Sequence, residues 1–138
     1  MFNLEIVSPE GQVFTGEVEQ VSVPTESGEI TILPHHADLY GKVATGEAII
    51  HKKGKTEYIA ILGGFVEVKN GSVTILSDYA VETEKISAAK AREAKERAEH
   101  LLKDKESNKD FALIERELQK AILELDIAEK SKRRQRSN

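Results

Sequence analysis

The sequence contains no cysteine and no tryptophan, and aromatic residues make up only 5% of its 138 positions. The absence of cysteine excludes disulfide bonds, thiolate metal sites and a cysteine nucleophile, and it indicates a reducing compartment such as the cytoplasm. No stretch approaches the ~20 consecutive apolar residues of a transmembrane helix. The first residues, MFNLEIVSPEGQVF, lack the basic and apolar regions of a secretory signal. We therefore expect a soluble protein with an aliphatic core and no direct membrane insertion.

The net charge of −4 hides a difference between the two parts of the chain. Residues 1–84 contain 13 acidic residues and only five lysines, whereas residues 85–138 contain 15 basic and 11 acidic residues. Such a split predicts two units with different surfaces and different partners. The basic part is interspersed with acid and has a single aromatic residue, Phe111, for stacking on bases, so the pattern argues against nucleic-acid binding.

The acidic part has the period of two that is typical of β-strands. Phe2, Leu4 and Ile6 alternate with other residues, which predicts a strand with one buried face. The segment 17–24 reads as one further strand. Asn70-Gly71 predicts a hairpin with a two-residue type I′ turn, and 52–55 predicts a hairpin with a Gly-containing loop. The sequence pattern of this part does not alternate strands with helices, as a parallel sheet would require. We predict an antiparallel β-sandwich or flattened barrel of about ten short strands over residues 1–84.

The basic part is helical in pattern, rich in Ala, Glu, Lys and Arg. Ser87 is a candidate N-cap of the first helix, and Ser107 or Asn108 of the second. The predicted inner stripes are Ala91, Ala94, Ala98 and Leu101, then Phe111, Ile114, Leu118, Ala121 or Ile122, Leu125 and Ala128. Only a few residues connect the two predicted helices, and helices joined in this way form an antiparallel αα-hairpin. The predicted fold class is therefore α+β, with a β domain over 1–84 and a helical domain over 85–138. Because two helices bury little surface, we expect the hairpin to be marginally stable alone, and hence movable.

Four motifs, in this order and spacing, resemble a single family. They are Val7-Ser8-Pro9-Glu10-Gly11, then Ser27-Gly28-Glu29-Ile30-Thr31-Ile32-Leu33-Pro34-His35-His36-Ala37, then Tyr58-Ile59-Ala60-Ile61-Leu62-Gly63-Gly64-Phe65-Val66-Glu67-Val68, and Ala91-Arg92-Glu93-Ala94-Lys95-Glu96-Arg97-Ala98-Glu99. Together they resemble the epsilon subunit of bacterial and chloroplast F-type ATP synthases, over about residues 2–130. The sequence departs from the family at Thr31 and His35, where the family has glycine.

The resemblance implies a non-catalytic rotor subunit of the central stalk in a proton- or sodium-translocating ATP synthase. It implies that the β domain binds the gamma subunit and the c-subunit ring, with Glu29 and His36 at the ring. The hairpin is implied to extend into the alpha/beta catalytic hexamer and inhibit ATP hydrolysis. A basic tail would then supply the inhibitory contacts, through Lys130, Lys132, Arg133 and Arg134. A solvated, frayed terminus, or a contact with nucleic acid or anionic lipid, is the alternative for this tail. The implied location is peripheral, at the cytoplasmic face of the cell inner membrane.

Some members of the family bind ATP through a motif of Ile or Leu, Asp, two variable residues, Arg and Ala. The matching positions are Ile86, Ser87, Lys90 and Ala91, and Arg97 lies further along the helix. Ser87 and Lys90 replace the carboxylate acceptor and the planar guanidinium donor, which are not easily substituted. We therefore expect no cofactor, and an ATP-sensing module whose hairpin folds around nucleotide is the alternative hypothesis.

Three other interpretations are weaker. His35 and His36 are adjacent and project differently, so an interface or an exposed loop is favoured over a metal site. Gly63-Gly64 lacks the Gly-Lys-Ser/Thr ending of a phosphate loop and predicts a bulge or a close strand approach. An unrelated β-sandwich adaptor with a coiled-coil tail leaves the ordered motifs unexplained. No nucleophile, base and orienting group occur at a recognisable spacing, so no catalytic residues are predicted.

Overall fold

The structure is a computed structural model that describes residues 1–104 and 110–137. The chain divides into two compact units, Met1–Glu84 and Lys85–Asn138, which we call the β unit and the helical unit. The strands are β1 (Phe2–Ser8), β2 (Gly11–Val18), β3 (Gln20–Thr25), β4 (Gly28–Ile32), β5 (Leu39–Val43), β6 (Gly46–Lys52), β7 (Lys55–Ile61), β8 (Gly64–Lys69), β9 (Ser72–Leu76) and β10 (Ala80–Glu82). The helices are α1 (Ala88–Lys103) and α2 (Phe111–Arg136).

The ten strands form one sheet in the order β10-β7-β6-β3-β5-β8-β9-β1-β2, with β4 paired to β3. A single residue pair, Thr25 with Val43, joins β3 to β5, so the sheet bends there into the two layers of a barrel-like sandwich. Between the layers lies an aliphatic core that includes Leu4, Ile6, Val21, Ile50, Ile61, Val66 and Ile75, each no more than 1% exposed. The predicted fold class is confirmed.

One strand pair departs from the antiparallel prediction. Strands β1 and β9 run parallel, with Leu4 beside Val73 and Ile6 beside Ile75. Parallel neighbours need a long connection, and here most of the sandwich supplies it, because β2 to β8 lie between the two strands in the chain. The sequence offered no sign of this pairing, since a non-local partner leaves no local pattern.

The predicted strand over residues 17–24 is wrong, because the chain changes sheet layer within it. Strand β2 ends at Val18 and pairs with β1, while β3 begins at Gln20 and pairs with β4 and β6. At the break, the Glu19 N–H donates to the carbonyl of His51 at 2.8 Å. An apolar alternation that continues through such a corner looks like one strand in the sequence.

Both predicted hairpins are confirmed, and they use the same two-residue turn. Asn70 and Gly71 have φ of 50° and 78°, and Lys53 and Gly54 have φ of 48° and 78°. Positive φ at both central positions defines a type I′ turn. The close strand approach predicted at Gly63-Gly64 is also confirmed, because a Cβ on Gly64 would overlap the carbonyl of Leu76 in β9.

The helical unit consists of two packed helices. The Ser87 hydroxyl accepts a hydrogen bond from the Lys90 N–H at 3.2 Å, so the predicted N-cap is confirmed. Helix α2 is capped by Asp110, whose carboxylate accepts from the Leu113 N–H at 3.2 Å. The candidate caps Ser107 and Asn108 lie outside the described residues. None of the described helices is both long and apolar enough to cross a membrane.

The two predicted stripes have different outcomes. In α1 the stripe is confirmed, with Ala91 and Ala98 buried and the other two positions half-buried. In α2 the prediction is wrong in part, because Phe111 is 60% exposed and the buried residues are Ala121, Leu123 and Ile127. Residues 121 and 123 lie on opposite sides of a helix with 3.6 residues per turn. The apolar residues of 121–128 cover more than one face, so periodicity alone did not select the buried one.

Candidate functional site

An exposed apolar surface of the β unit lies on strands β5, β8 and β9. The rings of Tyr40 and Phe65 stack, with centroids 5.7 Å apart and planes inclined by 16°. Leu76 lies directly opposite Phe65 in the register of β8 and β9. The exposed fractions of these residues are 67%, 43% and 53%, respectively. We call Tyr40, Phe65 and Leu76 the aromatic patch, and a contiguous exposed cluster of this kind is typical of a protein–protein contact.

Strand geometry explains why these side chains meet. Val66 and Val68 of β8 point into the core, so Phe65 and Glu67 point outward. Gly41 pairs with Val66, which places Tyr40 and Lys42 of β5 on the same outer face as Phe65. Lys42 at the edge of the patch forms an ion pair of 3.2 Å with Glu26, and both side chains are more than 60% exposed. Such a pair contributes little to stability, so its main effect is a charged rim beside the rings.

The aromatic patch was not predicted from the sequence. Two of the chain's few aromatic residues occupy outward positions of their strands, beside buried valines. This alternation was the only local pattern that indicated exposed aromatic residues. Phe65 belongs to the Gly-Gly motif, and nothing in the sequence marks Tyr40 as its neighbour. Their proximity depends on the pairing of β5 with β8, which are separated by two other strands along the chain.

The residues implied to face the c-ring lie on β4 and in the loop after it. Glu29 is an exposed residue of β4, opposite Pro24 of β3. His36 is exposed in the loop between β4 and β5, where its backbone N–H donates to the carbonyl of Leu33 at 3.2 Å. Its Nδ1 lies 2.7 Å from the carbonyl of Ala37. Within the described residues no hydrogen bond joins the two side chains, so the two exposed groups are presented separately.

A buried polar contact closes the β unit just before the helical unit begins. The Thr83 hydroxyl donates to the carboxylate of Glu47 at 2.8 Å, and these residues are 7% and 3% exposed. Thr83 opens a short 3-10 turn, Thr83–Lys85, that leads to α1. A hydrogen bond to a buried carboxylate is among the stronger ones in proteins. It fixes the position from which the chain leaves the sandwich.

The positions of the nucleotide motif are not arranged as a ready binding site. Ser87 is the N-cap and its hydroxyl is bonded to the Lys90 N–H. Ala91 is buried, whereas the side chains of Lys90 and Arg97 are exposed, two turns apart on α1. Ile86 is half-buried. Among the described residues, no group of three His, Asp or Glu side chains could hold a metal ion.

The basic residues near the C-terminus belong to a helix rather than to a tail. Helix α2 continues to Arg136, and Ser137 caps it with an N–H bond to the carbonyl of Arg133 at 3.2 Å. Arg133 forms an ion pair of 3.6 Å with Glu129, and both side chains are more than 60% exposed. Cations in the last turns interact favourably with the helix dipole, which explains why so charged a segment stays helical. Lys130 and Lys132 are exposed and Arg134 is half-buried.

Comparisons with known proteins cover both units. Residues 1–83 match the family of the ATP synthase delta/epsilon chain, beta-sandwich domain, and residues 84–129 match its long alpha-helix domain. The chain is 42% identical over 127 residues to the ATP synthase epsilon chain of Bacillus cytotoxicus, covering 92% of this chain and 96% of the relative. The corresponding values for the epsilon chain of Bacillus mycoides are 40% over 128 residues, 93% and 96%.

The fold is similar to that of chains in two solved assemblies. A chain of the Euglena gracilis mitochondrial ATP synthase, in an OSCP/F1/c-ring structure, matches with a TM-score of 0.66 and 25% identity, over 93% of this chain and 79% of that one. A chain from the central stalk and c-ring of the Tetrahymena thermophila enzyme matches with a TM-score of 0.56 and 12% identity, over 94% of each chain, which supports the fold alone. The resemblance found in the sequence is thus confirmed. The chain belongs to the delta/epsilon chain family of ATP synthases, the non-catalytic accessory subunits of the central stalk.

Proposed function

We propose that the β unit binds the gamma subunit and the c-ring, and thereby couples rotation of the ring to the catalytic head. The observation that carries this proposal is the aromatic patch. Two stacked rings and a leucine are exposed on one face of a unit whose core is otherwise sealed. Aromatic anchors dominate the free energy of protein–protein contacts, and an accessory subunit of a rotor must stay attached under load. We assign the gamma subunit to this patch.

Strand β4 and the loop after it, with the exposed residues Glu29 and His36, are proposed as the contact with the c-ring. A carboxylate and an imidazole on an exposed strand and loop suit polar partner groups, and the hydrogen bond between His36 and Leu33 shapes the loop. Polar contacts of this type set orientation more than affinity. The apolar patch and this polar segment therefore have separate tasks, attachment and alignment. With these partners, the chain is peripheral at the cytoplasmic face of the membrane.

The helical unit is proposed as the regulatory part. In an extended arrangement, the basic end of α2 would meet an acidic segment of the catalytic beta subunits and inhibit ATP hydrolysis. The support is the helical presentation of Lys130, Lys132, Arg133 and Arg134 within little more than one turn. A helix holds several cations in a fixed array, and it loses less conformational entropy on binding than a disordered tail.

We expect ATP to leave the helical unit unaffected. Ser87 uses its hydroxyl as an N-cap and cannot replace a carboxylate acceptor, and Lys90 offers a point charge in place of a planar donor. Isothermal titration of the full chain with ATP at millimolar concentration should give no binding heat. Restoring the family residues with Ser87→Asp and Lys90→Arg supplies the comparison. A saturable heat with the unchanged chain would replace this account with the nucleotide-sensing alternative.

The proposed attachment is tested by reconstitution. The full chain is mixed with the gamma subunit and c-ring assembly from the same enzyme, and the complex is isolated by size-exclusion chromatography. We expect a stoichiometric complex that includes this chain. Separate elution of the chain from gamma would refute the proposed function, whatever the behaviour of its helical unit.

A further inference from the structure

The turn between β6 and β7 concentrates positive charge on an acidic unit. Three of the five lysines in residues 1–84 lie in this turn: Lys52, Lys53 and Lys55. Lys53 and Lys55 are exposed, and Lys52 is half-buried, with its Nζ 5.8 Å from the centroid of the Phe14 ring. In the described part of the chain, none of the three ammonium groups forms an ion pair with a carboxylate. We call these three residues the basic turn.

The basic turn breaks two local rules of hairpin stability. Lys53 occupies a left-handed position, with φ of 48°, where Asn or Gly is strongly preferred over a long side chain. Lys52 and Lys55 are directly opposite each other in the register, and like charges in that arrangement are destabilising. The other type I′ turn of the same unit has Asn70 at the equivalent position and pairs Lys69 with Ser72. The chain therefore already contains an example of the more stable alternative.

The turn is also held in place. The backbone N–H of Lys53 donates to the carboxylate of Glu19 at 3.0 Å, across from the end of β2. The contact of Lys52 with the Phe14 ring is a cation–π interaction that restrains its long side chain. Local instability within a well-supported structure is the usual sign of a functional site. In the basic turn, the reduced local stability accompanies three adjacent positive charges.

We propose that the basic turn is a docking surface for a compact acidic segment of another protein subunit in the same assembly. Charge complementarity selects this occupant. The rest of the β unit is strongly acidic, with 13 acidic residues against two lysines, so an extended polyanion such as a membrane surface or a nucleic acid would also face that acid. A short acidic segment contacts the turn alone. This inference rests on the proposed binding to gamma and the c-ring, and it adds a contact separate from the aromatic patch.

The variant Lys53→Asn tests the proposal, because stability and binding should change in opposite directions. Asparagine suits the left-handed position, so we expect the melting temperature of the full chain to rise by about 4 °C. The affinity for the gamma and c-ring assembly should fall about threefold at ~0.1 M salt, and about tenfold when Lys55→Thr is added. At ~1 M salt the affinities of the variants and the unchanged chain should converge, since screening removes the contribution of the turn.

The matched control is Lys69→Gln, which removes one lysine from the start of the other type I′ hairpin and should alter neither property. Equal affinity and equal salt dependence of the double variant and the unchanged chain would overturn the docking proposal while leaving the proposed function intact. An equal loss with Lys69→Gln would also overturn it, because net charge and not the turn would be responsible. The double variant could also lose binding to vesicles of phosphatidylserine and phosphatidylcholine while its affinity for the gamma and c-ring assembly stays unchanged. That result would overturn the acidic segment as the occupant of the basic turn and identify a lipid surface instead. If the unchanged chain does not bind the stalk at all, the proposed function and this inference both fail.

Discussion

Replacing Tyr40 and Phe65 together by alanine is expected to weaken binding of the full chain to the gamma subunit by ~100-fold or more. The two rings form one stacked unit on the outer face of the sheet, and truncation removes the central anchors of the aromatic patch. Each such anchor contributes on the order of 2 kcal/mol or more to an interface. Titration of gamma with the purified variant, followed by calorimetry or fluorescence, measures the loss.

Folding should change little in that variant, which separates binding from stability. Tyr40 is 67% and Phe65 43% exposed, so truncation removes the ring pair, about 0.5–1.5 kcal/mol, together with the partial burial of the Phe65 ring. The control exchanges the residues, Tyr40→Phe with Phe65→Tyr, and keeps both rings in place. We expect the exchanged chain to bind gamma within a factor of about three of the unchanged one. Full affinity of the double alanine variant would show that gamma binds elsewhere.

Ending the chain after Glu84 is expected to leave attachment unchanged and to abolish inhibition of ATP hydrolysis. The core of the β unit is formed by residues 2–80, so this unit keeps its packing without the helices. The helical unit carries the cations proposed to engage the catalytic subunits. Couplings between sites are typically 1–3 kcal/mol, so hydrolysis by the reconstituted enzyme should rise about fivefold or more when the helices are removed.

A finer variant assigns the inhibition to charge. Lys132→Ala with Arg133→Ala removes two exposed cations of α2 and should raise hydrolysis at low salt, with a smaller effect at high salt. Because the side chain of Arg133 pairs only weakly with that of Glu129 on the surface, the helix itself should persist, as circular dichroism would report. Equal hydrolysis with the full and shortened chains would refute the regulatory role and leave the structural one.

The fold could be predicted from the sequence because its elements are specified locally. The alternation at Phe2, Leu4 and Ile6 and the Asn70-Gly71 turn depend on neighbours within a few residues, and the structure contains them as expected. The cap at Ser87 is equally local. Features that depend on distant pairing could not be predicted, such as the parallel contact of β1 with β9 and the corner at Glu19.

The residues of the candidate site also differ in whether they belong to a local motif. The family resemblance pointed to Glu29 and His36 through a continuous motif, and both residues are exposed in the structure; their contact with the c-ring stays a prediction. The aromatic patch brings Tyr40 next to Phe65 only through sheet order, so no linear motif contains it. The basic end of α2 was expected as a tail, and its helical form depends on capping and on the helix dipole.

The proposed attachment through the β unit is tested by hydrogen–deuterium exchange of the full chain, alone and in complex with gamma and the c-ring. We expect slower exchange in the complex across β5 and β8, around the aromatic patch, and in the segment that contains Glu29 and His36. Protection confined to α1 and α2, with unchanged exchange in the β unit, would contradict it, because the helical unit would then be the attachment and not the regulator.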